Sequence, residues 1–452
     1  MTKSPSDILQ DLIRFDTTNP PGNERACVEY LERLFAEHGF ETKILAVDPE
    51  RPNLVARLPG NGTGNPLLLY GHVDVVPTDG QQWDHPPFSG EIADGFIWGR
   101  GAIDMKGGLA MMATALLRNK ASGEIPPGDL IFAAVSDEER GGVDGARFLV
   151  EEHSEEFAGV KYAIGEVGGF ATDVSGLRVY PIMVAEKQSC LLTLTFRGAS
   201  GHGSLARRGG AMARMAETVR RIESRRLPVH VTPVARESLT ALARALPFPK
   251  SLFIKLLLRP RFTNWALGKI GERGAMFDAM LHNTVAPTVV SGGSVPNVTP
   301  GEVTLQLDGR ILPGYTEEDL VSELRSVLGD LGHGTNAPEI TSRYYDPGPS
   351  VPEMGLFQTL ASVIQEADPG SIVLPTLIPG TTDARFFSPL GIQTYGFLPM
   401  NLPREIDFAS MFHAGNERIP LDALEFGADA IQKAIRQYHV RGHGWGSETD
   451  AL

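Results

Sequence analysis

Residues 67–77 read LLLYGHVDVVP. Residues 67–70 form an apolar run without alternation, the pattern of a strand covered on both faces, as in an α/β sheet. Such sheets bind ligands beyond the carboxyl ends of their strands, and His72 falls at that end. Residues two apart on extended backbone point to one side. His72 and Asp74 therefore face the same space, and Asp74 can accept the second ring N–H of His72. That pairing fixes the tautomer of a metal-binding histidine; it serves equally well as a structural hydrogen bond at a strand end.

Outward from this stretch, helices are predicted at 7–15 and 24–38, split by the breaker Asn19-Pro20-Pro21-Gly22. Strands are expected at 53–58, 67–70, 130–135 and 162–164, and a helix at 107–119. Apolar strands alternating with helices give an α/β fold, a mixed sheet with helices on both faces. Near Ala185 the character changes. CLLTLTFRGASGHGS, residues 190–204, alternates like a half-exposed strand. Helices at 211–223 and 317–328 and strands at 284–292, 302–311 and 339–345 follow. The order β-α-β-β-α-β is a ferredoxin-like plan. The organisation expected is a catalytic domain in two segments, 1–184 and 351–452, interrupted by an inserted ferredoxin-like domain at 185–350 with an extra segment at about 227–282.

Composition narrows the function classes. With 42% hydrophobic and 21% charged residues the chain can bury a core and is not a disordered one. A formal net charge of -14 argues against a nucleic-acid partner, since phosphates need a basic surface. The two cysteines, Cys27 and Cys190, make no disulfide framework and read as reduced packing residues. MTKSPSDILQDLIRF at the start has no apolar core of signal-peptide length, and no window holds the ~20 apolar residues of a membrane span. A cytoplasmic protein without stable membrane insertion is expected.

Further acids sit where His72 sits, just past strands or in glycine-rich turns. WGRGAIDMKGG places Asp104 in a glycine-flanked turn opening a helix. AAVSDEERGG places Glu138 and Glu139 past the 130–135 strand, and AIGEVGG places Glu166 past another. MFHAGNERI adds His413. Each alone is an ordinary solvated acid or histidine. Together, histidine and carboxylates around a shared aspartate suit a paired divalent-metal hydrolase, with zinc the best match and cobalt or manganese as substitutes.

At this point the motifs GHVDVVP, WDHPPFSGEIADGFIWGRGAIDMKGG, SDEERGG, GEVGG, GHGS, NVTPGEVTLQLDGR, GTTDARFF and HAGNE carry a resemblance, in family order from Gly71 to Glu417. The chain resembles the co-catalytic di-zinc metallopeptidases that include carboxypeptidase G, aminoacylase, succinyl-diaminopimelate desuccinylase and Gly-X carboxypeptidase. The resemblance implies two Zn2+ per subunit. Asp104 would bridge them, with His72 and Glu166 on one ion and Glu139 and His413 on the other. Asp74 would orient His72, and the Asp104–Met105 peptide would be cis. Glu138 would be the general base, taking a proton from a metal-bridging water and returning it to the leaving nitrogen. The inserted domain would be a lid and would form a homodimer. Its His202 would stabilise the oxyanion, acting in family dimers from the partner subunit, and Asn297, Arg310 and Gly380 would hold substrate. Arg310 implies a substrate with a free α-carboxylate, because a guanidinium grips a carboxylate through two hydrogen bonds. The family usually has Gly-Gly-Thr-Asp near Gly380; here Thr381 replaces one glycine. His85, His153 and His282 are not expected as ligands, and His38 suits a helix end.

The extra segment contains SLFIKLLLRPRFTNWALGK, residues 251–269, read as an amphipathic helix that packs on the lid or across a dimer interface, or that meets acyl chains or a membrane face. The long-lid branch of the family resembles enzymes that cleave N-acyl amino acids, fatty-acyl ones included, and Gly-X dipeptides. The expected activity is therefore metal-dependent hydrolysis of an amide in a small-molecule substrate, an N-acyl amino acid or short peptide. The alternatives are a carbamoyl- or ureido-substrate hydrolase, whose members usually have histidine where Glu166 stands, and a non-catalytic binding protein, which the presence of Glu138 opposes.

Overall fold

The computed structural model describes residues 3–205, 208–344, 351–404, 406 and 408–441. The chain divides into two compact units. The first comprises Met1–Val184, Glu353–Pro375 and Thr382–Leu452; the second comprises Ala185–Pro352 and Thr376–Thr381. The short return at Thr376–Thr381 departs from the expectation of an uninterrupted final segment. The Lys187 amide donates to the Ile378 carbonyl, and the Thr381 hydroxyl donates to the Lys187 carbonyl, so local hydrogen bonds tie these residues to the second unit.

The first unit is a mixed α/β structure. Its sheet runs in the order Glu41–Leu45, Asn53–Leu58, Leu130–Val135, Leu67–His72, Tyr162–Gly165, Gln393–Gly396, Leu177–Glu186, Ile372–Ile378, with Thr172–Val174 paired beside Leu177–Glu186. Four neighbours, Leu130–Val135, Leu67–His72, Tyr162–Gly165 and Gln393–Gly396, are mutually parallel, while Asn53–Leu58 runs antiparallel at their side. Every residue of Leu67–His72 and Leu130–Val135 is buried, as apolar runs covered on both faces must be. The strand continues past Tyr70 through Gly71, so His72 is its last residue.

One face of this sheet carries Leu68, Ile131, Ala133, Val135, Leu149 and Phe387 in a single apolar cluster. The helix Lys106–Ala121 is buried along almost its whole length, and its run of Ala, Met and Leu explains why it is apolar on all sides. The first helix is Pro5–Ile13 rather than 7–15. Ser4 accepts from the Asp7 amide and Asp7 accepts from the Ser4 amide, a capping box with proline at the first turn, which starts the helix two residues early.

The second unit has a four-stranded antiparallel sheet in the order Thr284–Ser291, Glu302–Ile311, Gln188–Arg197, Glu339–Tyr344; Tyr345, the expected end of the last strand, lies outside the described residues. Inward residues of Gln188–Arg197 and Glu302–Ile311 alternate with outward ones, and Leu192, Leu194, Leu305 and Leu307 pack with Ile222, Leu320 and Leu324 of the helices Ala211–Ser224 and Glu317–Leu328. The extra segment is a helical array: Pro233–Ala245, Lys250–Leu257, Pro260–Ile270 and Ala275–Leu281. The single helix expected across 251–269 is thus two. Proline disfavours helical backbone in the residue before it, and Arg259 is extended (φ -110°, ψ 102°) while Pro260 takes the first helical position of the next helix.

Candidate metal centre and active site

The three central parallel strands deliver the key side chains from one edge of the sheet. His72 ends its strand, Glu138 and Glu139 follow Val135 by three and four residues, and Glu166 follows Gly165 directly. Parallel, in-register neighbours have their carboxyl ends together, so a histidine and three glutamates converge there. Asp104 reaches the same place from the turn before the helix Lys106–Ala121. His413 arrives because Arg418–Pro420 pairs antiparallel with Phe96–Trp98, which lays its loop beside the turn that holds Asp104. The Asp104–Met105 peptide is cis.

Asp104 uses its two oxygens in two directions. Oδ1 is 3.0 Å from His72 Nε2, which is also 3.5 Å from Glu166 Oε2. Oδ2 is 3.1 Å from His413 Nε2, which in turn is 3.4 Å from Glu139 Oε2. Single donor atoms of His72, Asp104 and Glu139, and of His72, Glu138 and Glu166, lie within 4.8 Å of one another. His72 belongs to both of these groups, while by the pair distances Asp104 is one carboxylate shared by His72 with Glu166 and by His413 with Glu139.

The electrostatics call for cations. Glu139 and Glu166 are buried side chains, and among the described residues only histidines pair with Asp104, Glu139 or Glu166. Burial, and then the charge of Glu166, holds the pKa of Glu138 well above the carboxylate range. Burial works against the His72 cation, but Asp104, Asp74 and Glu166 outweigh it and hold its pKa well above that of a free imidazole. Hydrogen bonds that its ring donates to the Asp104 and Glu139 carboxylates push His413 up to about 10. Glu139 Oε1 is buried without a hydrogen-bond partner. Uncompensated buried carboxylates are costly, so an orphaned oxygen among imidazoles and carboxylates fits hard or borderline divalent ions.

Asp74 does more than the sequence suggested. His72 Nδ1 sits 2.9 Å from the main-chain carbonyl of Asp74 and 3.6 Å from its carboxylate. The Asp74 carboxylate instead accepts from the amides of Glu138 and Glu139, each at 3.2 Å, and from Asn19 Nδ2 at 2.9 Å. One residue therefore orients His72 through its backbone and fixes the turn of Glu138 and Glu139 through its side chain.

Several residues in this support were not assigned roles from the sequence. Glu417 is fully buried and accepts from the amides of Gly101, Ile103 and Asp104 and from Arg100 Nη1 at 2.6 Å, so it holds the Asp104 turn from below. Asp137 has left-handed backbone (φ 70°), accepts from Asn19 and from the Val143 amide, and meets Arg51 at 3.0 Å. His413 and Val167 also have positive φ, 57° and 59°. Strained backbone of this kind, above all at a β-branched residue, gathers at functional sites. Asp383 is buried with both carboxylate oxygens unpartnered and packs on Gly142, behind the base-bearing turn. Glu417, Asp137 and Asp383 lay in the quoted motifs HAGNE, SDEERGG and GTTDARFF, but those motifs did not show what each of them holds.

The lid candidates lie in the second unit. His202 and Asn297 come together on a small ribbon in which Gly201–His202 pairs with Val298–Thr299, and the Ser204 hydroxyl lies 2.8 Å from His202 Nδ1. Arg310 donates to both oxygens of Asp308 and, from Nη1, to the Thr381 hydroxyl at 3.0 Å. The threonine that departs from the usual glycine thus links Arg310 to the Lys187 carbonyl. Gly380, beside it, has open space around it. His85, His153 and His282 pair instead with Glu91, Glu155 and Asp278.

This site on this fold is that of a metal-dependent hydrolase. The pattern of peptidase family M20/M25/M40 matches residues 68–437, and the chain belongs to that family. It is 30% identical over 384 residues to the human "N-fatty-acyl-amino acid synthase/hydrolase PM20D1", covering 82% of this chain and 74% of the relative. It is 27% identical over 395 residues to a probable succinyl-diaminopimelate desuccinylase of Staphylococcus aureus, covering 85% and 86%. Among solved structures, the M20 metallo-carboxypeptidase Sso-CP2 of Sulfolobus solfataricus has the same fold, with TM-score 0.68, 20% identity and coverage of 97% and 100%. A dinuclear metal-binding M20 peptidase of Bacillus subtilis matches with TM-score 0.59, 14% identity and coverage of 95% and 96%.

Proposed function

We propose that this enzyme hydrolyses the amide bond of an N-acyl amino acid or dipeptide that bears a free α-carboxylate. The observation that carries the reading is Asp104, with one oxygen toward His72 and Glu166 and the other toward His413 and Glu139, beside the half-buried Glu138. His72, Asp104 and Glu166 would hold one divalent ion and Asp104, Glu139 and His413 a second, with zinc the best match to the donor set. Bound there, the pair would supply Lewis acidity, polarising the substrate carbonyl and lowering the pKa of water.

Glu138 does the proton work. Its raised pKa makes it a stronger base than an ordinary glutamate, so it takes the proton of the attacking water and passes it to the leaving nitrogen. Asp74 keeps Glu138 in place through the amide hydrogen bond. For the second unit we propose the role of a ferredoxin-like lid; support comes from its strand and helix order and antiparallel sheet. Arg310 has five N–H groups. Two are engaged by Asp308 and one by Thr381, which leaves one on each terminal nitrogen for a substrate carboxylate. His202, Asn297 and Gly380 are proposed as further substrate contacts. A homodimer through this unit is supported by its edge strand Thr284–Ser291, which exposes Val289 and Val290. A cytoplasmic location is supported by the free, buried thiols of Cys27 and Cys190.

The names of the relatives point toward acyl substrates. The test is a series of N-acyl amino acids of increasing chain length, each also prepared as its carboxamide. Hydrolysis that strengthens with acyl length and vanishes in the carboxamides is expected. Equal cleavage of acids and carboxamides would remove the carboxylate requirement; flat rates across the series would remove the acyl preference.

A further inference from the structure

The extra segment of the second unit carries charge and apolar surface that this chemistry does not use. From position 238 to 271 the sequence contains Arg244, Lys250, Lys255, Arg259, Arg261 and Lys269 and no aspartate or glutamate, in a chain whose net charge is -14. The helices Lys250–Leu257 and Pro260–Ile270 form a hairpin with two faces. Ile254, Leu257, Thr263, Ala266 and Leu267 are buried. The opposite side exposes Lys255, Arg259, Arg261 and Lys269, and among these cations it also exposes large apolar side chains, which a solvated helix face would not. Trp265 is 52% exposed, Phe262 50% and Leu252 46%, and Phe248, just before the hairpin, is 80% exposed. The face is continuous across both helices, because Phe253 of one stacks on Trp265 of the other at 6.1 Å between centroids and 9° between planes. The Thr263 hydroxyl donates to the carbonyls of Leu257 and Arg259 and holds the corner rigid.

We propose that this hairpin is a docking surface for an anionic phospholipid bilayer. Large apolar side chains with interleaved lysine and arginine are what the headgroup region accepts: the rings enter the acyl boundary and the cations meet the lipid phosphates. Each cation near an anionic leaflet adds to that attraction. The hairpin lies on the surface without crossing, and among the described residues no helix is long and apolar enough to cross a membrane. A second copy is the poorer occupant. A two-fold contact would set this cationic face against itself, and like charges across an interface are unfavourable. Docking would bring the enzyme to substrates dissolved in lipid if its substrates carry long acyl chains, a consequence that rests on the reading above; the docking itself does not.

The test is flotation of the full chain with vesicles of phosphatidylcholine alone or with about a third phosphatidylserine. Two surface variants are compared, Phe262→Ser with Trp265→Ser, and Lys255→Glu with Lys269→Glu. The wild type should float with the anionic vesicles and not the neutral ones, and should be released by roughly 0.5 M salt. Each double variant should bind at least about tenfold more weakly while cleaving a short, water-soluble substrate at the wild-type rate. Wild type that ignores both kinds of vesicle overturns the proposal. So do variants that bind like wild type, or a wild-type dimer that Phe262→Ser with Trp265→Ser converts to monomer. Vesicle binding without cleavage of any N-acyl amino acid would overturn the substrate reading alone.

Discussion

At the scale of single residues the site separates holding from reacting. Among the described residues no side chain pairs with the Glu138 carboxylate, and its backbone is held by the Asp74 carboxylate at its amide and by the Gly141 amide at its carbonyl, whereas Asp104, Glu139, Glu166 and the histidines face one another. Glu138→Gln should therefore keep the metal content of the wild type and lower kcat by about 10²–10⁴-fold; a variant with near-normal turnover would remove Glu138 from the chemistry. Glu417 makes the opposite forecast. It is a buried anion with three amides and an arginine on it, so Glu417→Ala strands Arg100 and should cost about 3–5 kcal/mol in urea unfolding, together with weaker metal retention. Unchanged stability and metal content would contradict its role. That His72, Glu138, Glu139 and Glu166 gather was legible in the sequence because each follows a parallel strand at a short offset, and Asp104 stood out in its glycine-flanked turn. The roles of Glu417 and Asp137 were not, since Glu417 holds a turn hundreds of residues away and Asp137 ties the distant Asn19 and Arg51 to the Val143 amide.

At the scale of elements, the parallel strands place ligands and the loops aim them. The base-bearing turn illustrates how tightly. Gly142 has φ 68°, and a Cβ there would lie 2.5 Å from Asp383 Oδ1 and 2.8 Å from the Phe386 ring. Gly142→Ala should push the turn off its backing, lowering kcat/KM by more than tenfold with a smaller loss in thermal stability; wild-type kinetics would show that the turn tolerates the shift. The strands themselves were readable as apolar runs, since burial on both faces leaves no polar position. The helix starts were less so: the cap at Ser4 and the break at Pro260 depend on local hydrogen bonding and on proline sterics that outweigh apolar periodicity.

At the scale of the whole molecule, each unit has its own core. The second unit also has a buried cation. Lys187 donates to the carbonyls of Ala279 and His282 and to the Thr284 hydroxyl, and burial, with Arg310 adding to it, lowers its pKa to about 7 from 10.5. Between those values the unfolded chain holds the proton and the folded one does not. The group's contribution to stability therefore rises as pH rises through about 7 to 10 and is lowest below that window. Relative to Lys187→Met, wild type should gain stability from pH 7 to pH 10 in urea titrations; a constant difference would mean that Lys187 titrates normally. The two-part organisation was visible in the switch from apolar to alternating strands near Ala185. The return of Thr376–Thr381 to the second unit was not, because only three-dimensional hydrogen bonds assign it. The central claim is that Asp104 is shared between two ions. Elemental analysis of the purified enzyme and of Asp104→Asn, both dialysed against trace zinc, tests it most directly. The account predicts about two ions per chain in the wild type and fewer than about one in the variant; a wild type that holds a single ion or none, or a variant that still holds both, would contradict it.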